Sequence, residues 1–339
     1  MKAAYRHLFA LGAVMGLAMT TTTCAEETPT KVLRAGMIGL DTTHVPAFTK
    51  FINDKDAKGH LASLRVVAGY PGGTDIPKSK DRVKGFTEEV RLMGVRIYDS
   101  ISELLENVDV VLLMSVDGRP HLEQVRPVFK AGKPVFIDKP LAGSLADCVA
   151  IAELAKKYEV PWFSSSSLRF TPGLLDFRKE GSAAGEVIGC SAWGKCTLES
   201  SHPDLFWYGV HATELLFAVM GTGCEQVTRV KTDDTELVTG VWSGGRVGTF
   251  RGLRAGKIEF GATVFGSKAI VQAPEYTGYA DLCREIAAFF VTGKAPVAAE
   301  ETLEMFAFME AADESKRRGG AAVSVAEVLE VARKKARER

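Results

Sequence analysis

The sequence has no excess of charge of either sign: its 339 residues carry 42 basic and 42 acidic side chains. Proteins that bind nucleic acids or anionic membrane surfaces through electrostatics usually have a clear basic excess. The balance gives no electrostatic reason to expect either partner, and we predict that the chain does not bind nucleic acid.

Cysteine is scarce: there are six, at positions 24, 148, 190, 196, 224 and 283. Their separations do not match the paired spacings of metal sites, so we predict no metal centre. If Cys24 is lost with the N-terminal segment, an odd set of five remains, which we interpret as buried small side chains. The alternative is a cluster of one carboxylate and four imidazoles, which shows no ligand spacing. Its members would be Asp41, His44, His121, His202 and His211.

Long hydrophobic runs are absent except near the N-terminus. Residues 8–19 form an apolar run that follows Lys2 and Arg6 and precedes small residues up to Ala25. As a helix this run would span about 18 Å, short of the bilayer core of roughly 30 Å. The pattern is typical of a secretory signal peptide, which we assign to residues 1–25. Lipidation of Cys24 is the alternative, and in either case we expect an exported protein, periplasmic or secreted.

Residues 31–163 alternate short apolar runs with amphipathic segments, which is typical of a doubly wound parallel sheet. The strand candidates are residues 33–40, 64–69, 95–98, 108–114, 134–137 and 161–164. The helix candidates are residues 44–53, 81–93, 101–106, 121–131 and 145–158, with Ser100 and Ser144 as N-caps. Residues 71–80 are rich in Gly, Pro and charge and are predicted to be a surface loop.

Residues 164–339 show a different order of elements. After a helical segment at 169–179, strand candidates follow at 187–198, 227–231, 236–242, 247–253, 258–264 and 269–272. Helix candidates come last, at 282–291, 301–318 and 325–337. Strands followed by helices indicate an α+β domain with a largely antiparallel sheet. We therefore predict one domain boundary, between residues 163 and 164.

The segment GKPVFIDKPL, residues 132–141, places a charged pair at the end of a strand. Residues 135–137 are an apolar run typical of a buried parallel strand. Because Pro140 keeps Lys139 out of the helical region, Asp138 and Lys139 leave the strand at its carboxyl end, where ligands bind in open α/β sheets. A lysine there can polarise or protonate an oxygen. The alternative is a solvated turn after a core strand.

The turn after the first strand departs from the dinucleotide-binding fingerprint G-x-G-x-x-G. Gly39 matches the first glycine, but Asp41 and His44 stand at the second and third. A carboxylate about 5 Å from one phosphate charge costs roughly 3 kcal/mol at an effective dielectric of about 20, unless Asp41 turns aside to cap the helix. Thr42 and Thr43 can still offer hydroxyl groups to a phosphate. The acid that normally follows the second strand and holds the ribose is also missing.

The order of motifs resembles the Gfo/Idh/MocA family of glucose-fructose oxidoreductases and inositol dehydrogenases. The similar segments are GMIG, DVVLLMSVDGRPH, AGKPVFIDKPLA, SSSSLRFTPG, AAGEVIG, HATELLFAVMG, TGVWSGGRVGTF and EAADESKRRGG. The resemblance implies a Rossmann-type domain at residues 31–163 and a domain at 164–339 whose open sheet faces the cofactor and mediates a homodimer or homotetramer. It also implies oxidation or reduction of a sugar, cyclitol or derivative with bound NAD or NADP.

The resemblance implies a set of site residues as well. Asp138-Lys139-Pro140 matches the family motif E-K-P, with Lys139 as the catalytic lysine, and residues 115–121 match the segment beside the nicotinamide. His211 matches the catalytic histidine, and we predict that it is the general base. The residues expected to contact the cofactor are Gly39, Asp41, Thr42, Thr43, Tyr70, Ser115, His121, Asp138 and Lys139.

The substrate side departs from the family at one position. The family carries an Asp four residues before the catalytic histidine, and Trp207 stands there in this sequence. Asp204 and Glu214 share a helical face with His211 and are candidates to replace that Asp. The predicted substrate-binding residues are Arg169, Trp193, Asp204, Tyr208 and His211. In the alternative interpretation, Arg169 braces the domain junction and the aromatic rings are core packing.

Three departures favour a second function. They are the incomplete glycine fingerprint, the missing ribose acid and the predicted export, since a soluble nicotinamide pool is not expected outside the cytoplasm. The alternative is a non-redox protein that processes or binds carbohydrates on the same scaffold.

Overall fold

A computed structural model of the protein describes Met1 and residues 32–339. The predicted signal peptide beyond Met1, and with it Cys24, lies outside the described residues. Residues 32–339 form one compact unit that contains two sheets. In this described part of the chain, no helix is long and apolar enough to cross a membrane.

The first sheet has six strands, and all of them are parallel. They are β1 (Leu33–Ile38), β2 (Leu64–Tyr70), β3 (Arg96–Ile97), β4 (Val110–Leu113), β5 (Val135–Ile137) and β6 (Trp162–Ser164). Their order, β3-β2-β1-β4-β5-β6, is that of doubly wound dinucleotide-binding sheets. The predicted Rossmann-type sheet is therefore confirmed.

Five helices connect these strands, and their starts follow local capping chemistry. They are α1 (His44–Ile52), α2 (Pro77–Leu92), α3 (Ile101–Glu106), α4 (His121–Lys130) and α5 (Leu145–Tyr158). The predicted N-caps are confirmed, because Ser100 and Ser144 accept the backbone N–H groups of Glu103 and Asp147. The predicted loop at 71–80 is wrong from Pro77 onward, since a proline at the first helical position is already set for the helix and starts α2 there.

The second sheet has seven strands in the order β12-β11-β7-β10-β9-β8-β13. Their ranges are β7 (Val187–Lys195), β8 (Cys224–Lys231), β9 (Thr235–Trp242), β10 (Val247–Leu253), β11 (Gly261–Gly266), β12 (Ile270–Gln272) and β13 (Val323–Ser324). All neighbouring pairs are antiparallel except β7 with β10. The predicted α+β half with a largely antiparallel sheet is confirmed.

Helices cover one face of the second sheet and leave apolar side chains exposed on the other. The helices of this half are α6 (Asp204–Trp207), α7 (Gly209–Met220), α8 (Ala280–Thr292), α9 (Ala299–Arg317) and α10 (Val325–Ala336). The predicted helix at 169–179 is instead two short 3-10 turns, Ser167–Phe170 and Leu175–Arg178, separated by Pro172 and Gly173. Exposed apolar side chains of the sheet are Val230, Val241, Val247, Phe265 and Ile270.

Helix α8 returns from the second half of the sequence and packs on the first sheet. Its Phe289 ring meets the ring of Phe163 edge-on at 5.1 Å, and Ile286 belongs to the same buried cluster as Met37 and Phe48. The two halves are thus joined by a shared core. This core fixes the wall of the cleft above the carboxyl ends of the first sheet.

The five cysteines in the described residues are all buried and unpaired. Burial raises the pKa of each thiol, to about 12 for Cys190. The prediction that they are buried small side chains is confirmed. No group of three or more potential metal ligands occurs within residues 32–339.

Candidate active site

A cavity of about 180 Å³ lies between the carboxyl ends of the first sheet and the start of α7. Its aromatic lining consists of Trp207, Tyr208, Phe260, Tyr276 and Tyr279. Its polar lining consists of Thr42, Thr43, His44, Lys78, Arg82, Lys139, Ser167 and His211. The carboxyl end of a doubly wound sheet is the usual position of a ligand site, and here it brings the two predicted catalytic residues into one cavity.

Lys139 follows β5 and is held beside a buried carboxylate. Asp138 is 1% exposed; it accepts the backbone N–H of Lys139 at 2.9 Å, and its other oxygen lies 2.7 Å from Nδ1 of His44. Burial by itself would raise the pKa of Asp138, but His44 and Lys139 outweigh it and lower the pKa to about 2. Asp138 therefore stays ionised and is bound to His44, while the half-buried Lys139 side chain reaches the cavity.

His211 lies in the first turn of α7, with Nδ1 2.7 Å from the hydroxyl of Ser166. Burial lowers the pKa of His211 well below 6.5, and the nearby Lys139 and His44 lower it further. The imidazole is therefore neutral at pH 7, as a general base requires. Because Ser166 holds Nδ1, the nitrogen left for a ligand is Nε2.

Arg169 lies behind this histidine. It is 3% exposed and pairs with Glu214 through Nε and with Glu301 through Nη1, the latter at 2.7 Å. Glu214 also accepts the backbone N–H of Ser166 at 3.1 Å. Arg169 thus braces the segment that holds His211, and neither Arg169 nor Glu214 lines the cavity.

Two other predicted substrate residues lie away from the cavity. Trp193 is on the helix-free side of β7, next to Ser191, Thr249 and Arg251. Asp204 binds Arg229 at 2.7 Å and Lys231 at 3.2 Å. Burial would raise the pKa of Asp204, but hydrogen bonds and charges from Lys316 and Arg229 lower it instead. Tyr208 and His211 are the predicted substrate residues that the structure brings together.

The segment after β4 is held by internal hydrogen bonds. His121 is fully buried, with Nδ1 3.1 Å from the carbonyl oxygen of Leu141 and Nε2 3.0 Å from that of Ser115. The Ser115 hydroxyl donates to Gln124 at 2.8 Å. These contacts shape the loop, and neither His121 nor Ser115 lines the cavity.

Sequence reasoning missed several cavity residues, among them Lys78 and Arg82 of α2. A signal was present, because two basic residues four apart face the same side of a helix. The predicted boundary between the loop at 71–80 and the helix at 81–93 separates Lys78 from Arg82, so their shared helical face is not predicted. No comparable spacing in the sequence marks the other cavity residues that were not predicted, which are Ser167, Phe260, Tyr276 and Tyr279.

Two backbone N–H groups of the turn after β1 donate to carbonyl groups of the protein. The amide of Gly39 donates to the carbonyl of Tyr70 at 2.9 Å, and that of Leu40 donates to Pro71 at 2.8 Å. Gly39 has φ +84°, and a Cβ there would collide with Ser115. The absence of a side chain at Gly39 thus allows the loop after β4 to approach closely. In the fingerprint, a glycine usually allows the pyrophosphate to approach in this way.

Asp41 is fully buried in this turn and accepts two hydrogen bonds. They come from the amide of Val116 at 2.8 Å and the hydroxyl of Ser79 at 2.7 Å, so the predicted helix-capping alternative is wrong. Burial raises the pKa of Asp41. Ile76 covers the turn by packing with Val116 and a cavity tryptophan. In this conformation the amides of Gly39 and Leu40 and the side chain of Asp41 are bound to protein atoms rather than to a phosphate.

Residues 76–165 match the model of a family described as an oxidoreductase family with an NAD-binding Rossmann fold. Inositol 2-dehydrogenase of Gluconacetobacter diazotrophicus is 34% identical over 97 residues, which cover 27% of this chain and 28% of that protein. Myo-inositol 2-dehydrogenase of Thermotoga maritima is 38% identical over 94 residues, 27% of each chain. The aligned stretches thus span less than a third of either relative.

Solved structures of the same fold cover most of the chain. GenD2 from gentamicin A biosynthesis, in complex with NAD, has a TM-score of 0.71 at 15% identity and covers 87% of this chain and 96% of its own. Scyllo-inositol dehydrogenase from Lactobacillus casei, with NAD(H) and scyllo-inositol, has a TM-score of 0.69 at 13% identity, with 87% and 100% covered. At such identities the likeness establishes the fold. The family match agrees with the resemblance predicted from the motifs, since residues 76–165 are similar to the Gfo/Idh/MocA oxidoreductase family.

Proposed function

We propose that the chain is a Gfo/Idh/MocA-type oxidoreductase that acts on a sugar, a cyclitol or a derivative with NAD or NADP. The observation that carries this proposal is the meeting of Lys139 and His211 in one cavity walled by aromatic rings. Aromatic faces suit the apolar faces of sugar rings, and the paired lysine and neutral imidazole suit proton transfer at a hydroxyl. The NAD-binding family match and the inositol dehydrogenase relatives support it.

The chain's own residues divide the acid–base work between two elements. Lys139 donates a hydrogen bond to the reacting oxygen and stabilises negative charge on it. His211 accepts the hydroxyl proton at Nε2, while Ser166 fixes the ring through Nδ1. Asp138, bound to His44, places a fixed negative charge next to Lys139.

A second candidate is a non-redox protein that processes or binds carbohydrates through the same cavity. The specific observation in its favour is the closed turn after β1. Asp41 is hydrogen-bonded to Val116 and Ser79, and the amides of Gly39 and Leu40 are already paired. These contacts bind the turn to protein atoms, and a carbohydrate in the cavity leaves them intact.

The first prediction tests Lys139. Lys139→Ala should lower turnover by a factor of about 10² to 10⁴, because the lysine assists proton movement at the reacting oxygen. Its free energy of unfolding should stay within about 0.5 kcal/mol of the native value, since the side chain is half-buried and makes no ion pair. Steady-state rates on an identified substrate and denaturant unfolding measure both. Lys130→Ala, at the exposed end of α4, is the matched control. Near-normal turnover by the Lys139 variant would indicate that Lys139 is a solvated turn residue without a catalytic role.

The second prediction concerns pH. The neutral form of His211 is the active base, and its pKa lies well below 6.5, so this group should stay active as the pH falls through 6.5. The acid limb of kcat should therefore lie below pH 6.5, and His211→Gln should remove that limb together with most of the rate. A pH–rate profile of both proteins measures this. An acid limb centred at or above 6.5 in the native enzyme would contradict the assignment of His211.

The third prediction separates the two candidates at Asp41. Asp41→Asn keeps the shape and removes the charge: its carbonyl oxygen still accepts from Val116, and its NH2 group donates to the Ser79 hydroxyl in place of accepting from it. If a dinucleotide binds at the turn, it should bind this variant about a hundredfold more tightly, which corresponds to roughly 3 kcal/mol of removed repulsion. Asp41→Gly also removes both buried hydrogen bonds and should lower the free energy of unfolding by about 1–3 kcal/mol.

Calorimetric titration of the native protein and both variants with NAD and NADP is the measurement. Submicromolar binding by the native protein would rule out repulsion at Asp41 and favour the oxidoreductase. An absence of binding by all three proteins would favour the non-redox candidate.

Export and self-association complete the proposal. The sequence of residues 1–25 supports cleavage near Ala25, and the exposed apolar side chains of the second sheet support a homodimer or homotetramer through that face. N-terminal sequencing of protein from the native host should find a chain that begins near Glu26, and an intact Met1 or a lipidated Cys24 would contradict it. Sedimentation should find a dimer or tetramer, and a monomer would exclude the interface.

A further inference from the structure

The lining of the active-site cavity is positively charged and contains no carboxylate. Lys78 and Arg82 enter it from α2, and Lys139 enters from the end of β5. None of the residues that line the cavity is Asp or Glu. A neutral polyol does not require this arrangement, because neutral hydroxyl groups are recognised equally well by uncharged or acidic partners.

The carboxylates closest to the cavity are committed to other groups. Asp138 is bound to His44, and Asp41 accepts from Ser79 and Val116. Asp117, in the loop after β4, binds Arg119 and lies 3.3 Å from Nε2 of His202. Within residues 32–339, no carboxylate forms an ion pair with the side chain of Lys78, Arg82 or Lys139. Their charge is therefore available to a ligand.

Aromatic rings hold one of these cations in place without neutralising it. The ammonium group of Lys78 lies 5.6 Å from the centre of the Trp207 ring and 5.5 Å from that of Tyr208. Lys195 also lies 4.8 Å from the centre of the Tyr208 ring. Cation–π contacts of this kind position an ammonium group and leave its N–H donors free for an acceptor.

Trp207 contributes its ring to the cavity wall next to Lys78. Its side chain lines the cavity and is 4% exposed, and its indole N–H has no hydrogen-bond partner in the described part of the chain. This N–H is shielded from the cavity, so the part of Trp207 that a ligand can touch is its ring, over which Lys78 lies.

We propose that Lys78 and Arg82 form a subsite for an anionic substituent of the substrate. The substrate class is then a sugar or cyclitol that carries a carboxylate or a phosphate ester. The ring lies among the aromatic walls, with its reacting hydroxyl toward Lys139 and His211 and its anionic group toward α2. This subsite deepens the proposed function and rests on it for the reaction, but anion binding can be measured without turnover.

Calorimetric titration of the native protein with three monosaccharide probes tests the subsite. D-Glucuronate carries the carboxylate, D-glucose 6-phosphate carries the phosphate ester, and methyl glucoside is the neutral counterpart. At least one anionic probe should bind about tenfold or more tightly than the neutral probe, equivalent to about 1.4 kcal/mol. Its affinity should fall as salt rises from about 0.05 to about 0.5 M, because the charges become screened. Preference for one anionic probe identifies the source of the charge.

Variants of α2 assign the effect to the subsite. Lys78→Met and Arg82→Met remove the charge but keep an apolar stem, and each should weaken the anionic probe about tenfold and leave the neutral probe unchanged. Lys80→Met is the matched control: it lies on the same helix, is exposed and removes the same charge. Its affinities should match those of the native protein. Thermal unfolding of all four proteins establishes that they are equally folded.

Several outcomes would overturn the subsite. They are equal affinity for charged and neutral probes, no binding of either anionic probe, or equal weakening by Lys80→Met, which would indicate bulk charge alone. Weakening of NAD but not of the anionic probes by Lys78→Met would assign these cations to the nucleotide. Anion binding without turnover would refute the proposed reaction but support the subsite. Turnover of neutral substrates only would support the reaction but refute the subsite.

Discussion

The buried guanidinium of Arg169 is the interaction on which the geometry of the site depends. Each charge removed from water costs several kcal/mol, so Arg169 can remain buried only with matched partners, which are Glu214 and Glu301. Arg178 shares Glu301, and the four charges balance. This network ties the segment after β6 to α7 and α9. Through Glu214 it fixes the amide of Ser166, whose hydroxyl then sets the ring of His211 opposite Lys139.

The departures from the dinucleotide fingerprint form a coordinated set. His44, at the third glycine position, stacks on Phe48 at 5.1 Å and binds Asp138, the residue that replaces the glutamate of the family motif. Asp41, at the second glycine position, accepts hydrogen bonds from Ser79 and from the loop after β4. A sequence that had merely lost its fingerprint would leave buried polar groups unpaired, at about 1–3 kcal/mol each. Here each substituted side chain has its own partner, as expected of a turn built around protein contacts.

Local patterns predicted the parallel sheet, because buried strands such as residues 135–137 and caps such as Ser144 are encoded within a few neighbouring residues. They also predicted that Lys139 and His211 would meet, through the order of family motifs. They could not decide whether Arg169 binds substrate or braces the domain junction, since its partners lie 45 and 132 residues away along the chain. The prediction of Asp204 as a substrate residue is wrong for the same reason. It rests on the helical spacing from His211, whereas the cations that bind Asp204 come from distant elements, β8 and α9.

The first turn of α2 contacts both the turn after β1 and the active-site cavity. Ser79 closes the turn after β1 by binding Asp41, and Lys78, the adjacent residue, reaches into the cavity. Ile76, just before the helix, packs with Trp207 beneath the same lysine. Lys78 therefore has a fixed position relative to the turn after β1, because the residue next to it is bonded to Asp41 and Ile76 packs against the cavity wall. The conformation of one helical turn thus sets both the partner of Asp41 and the position of the cation that we propose binds the anionic group of the substrate.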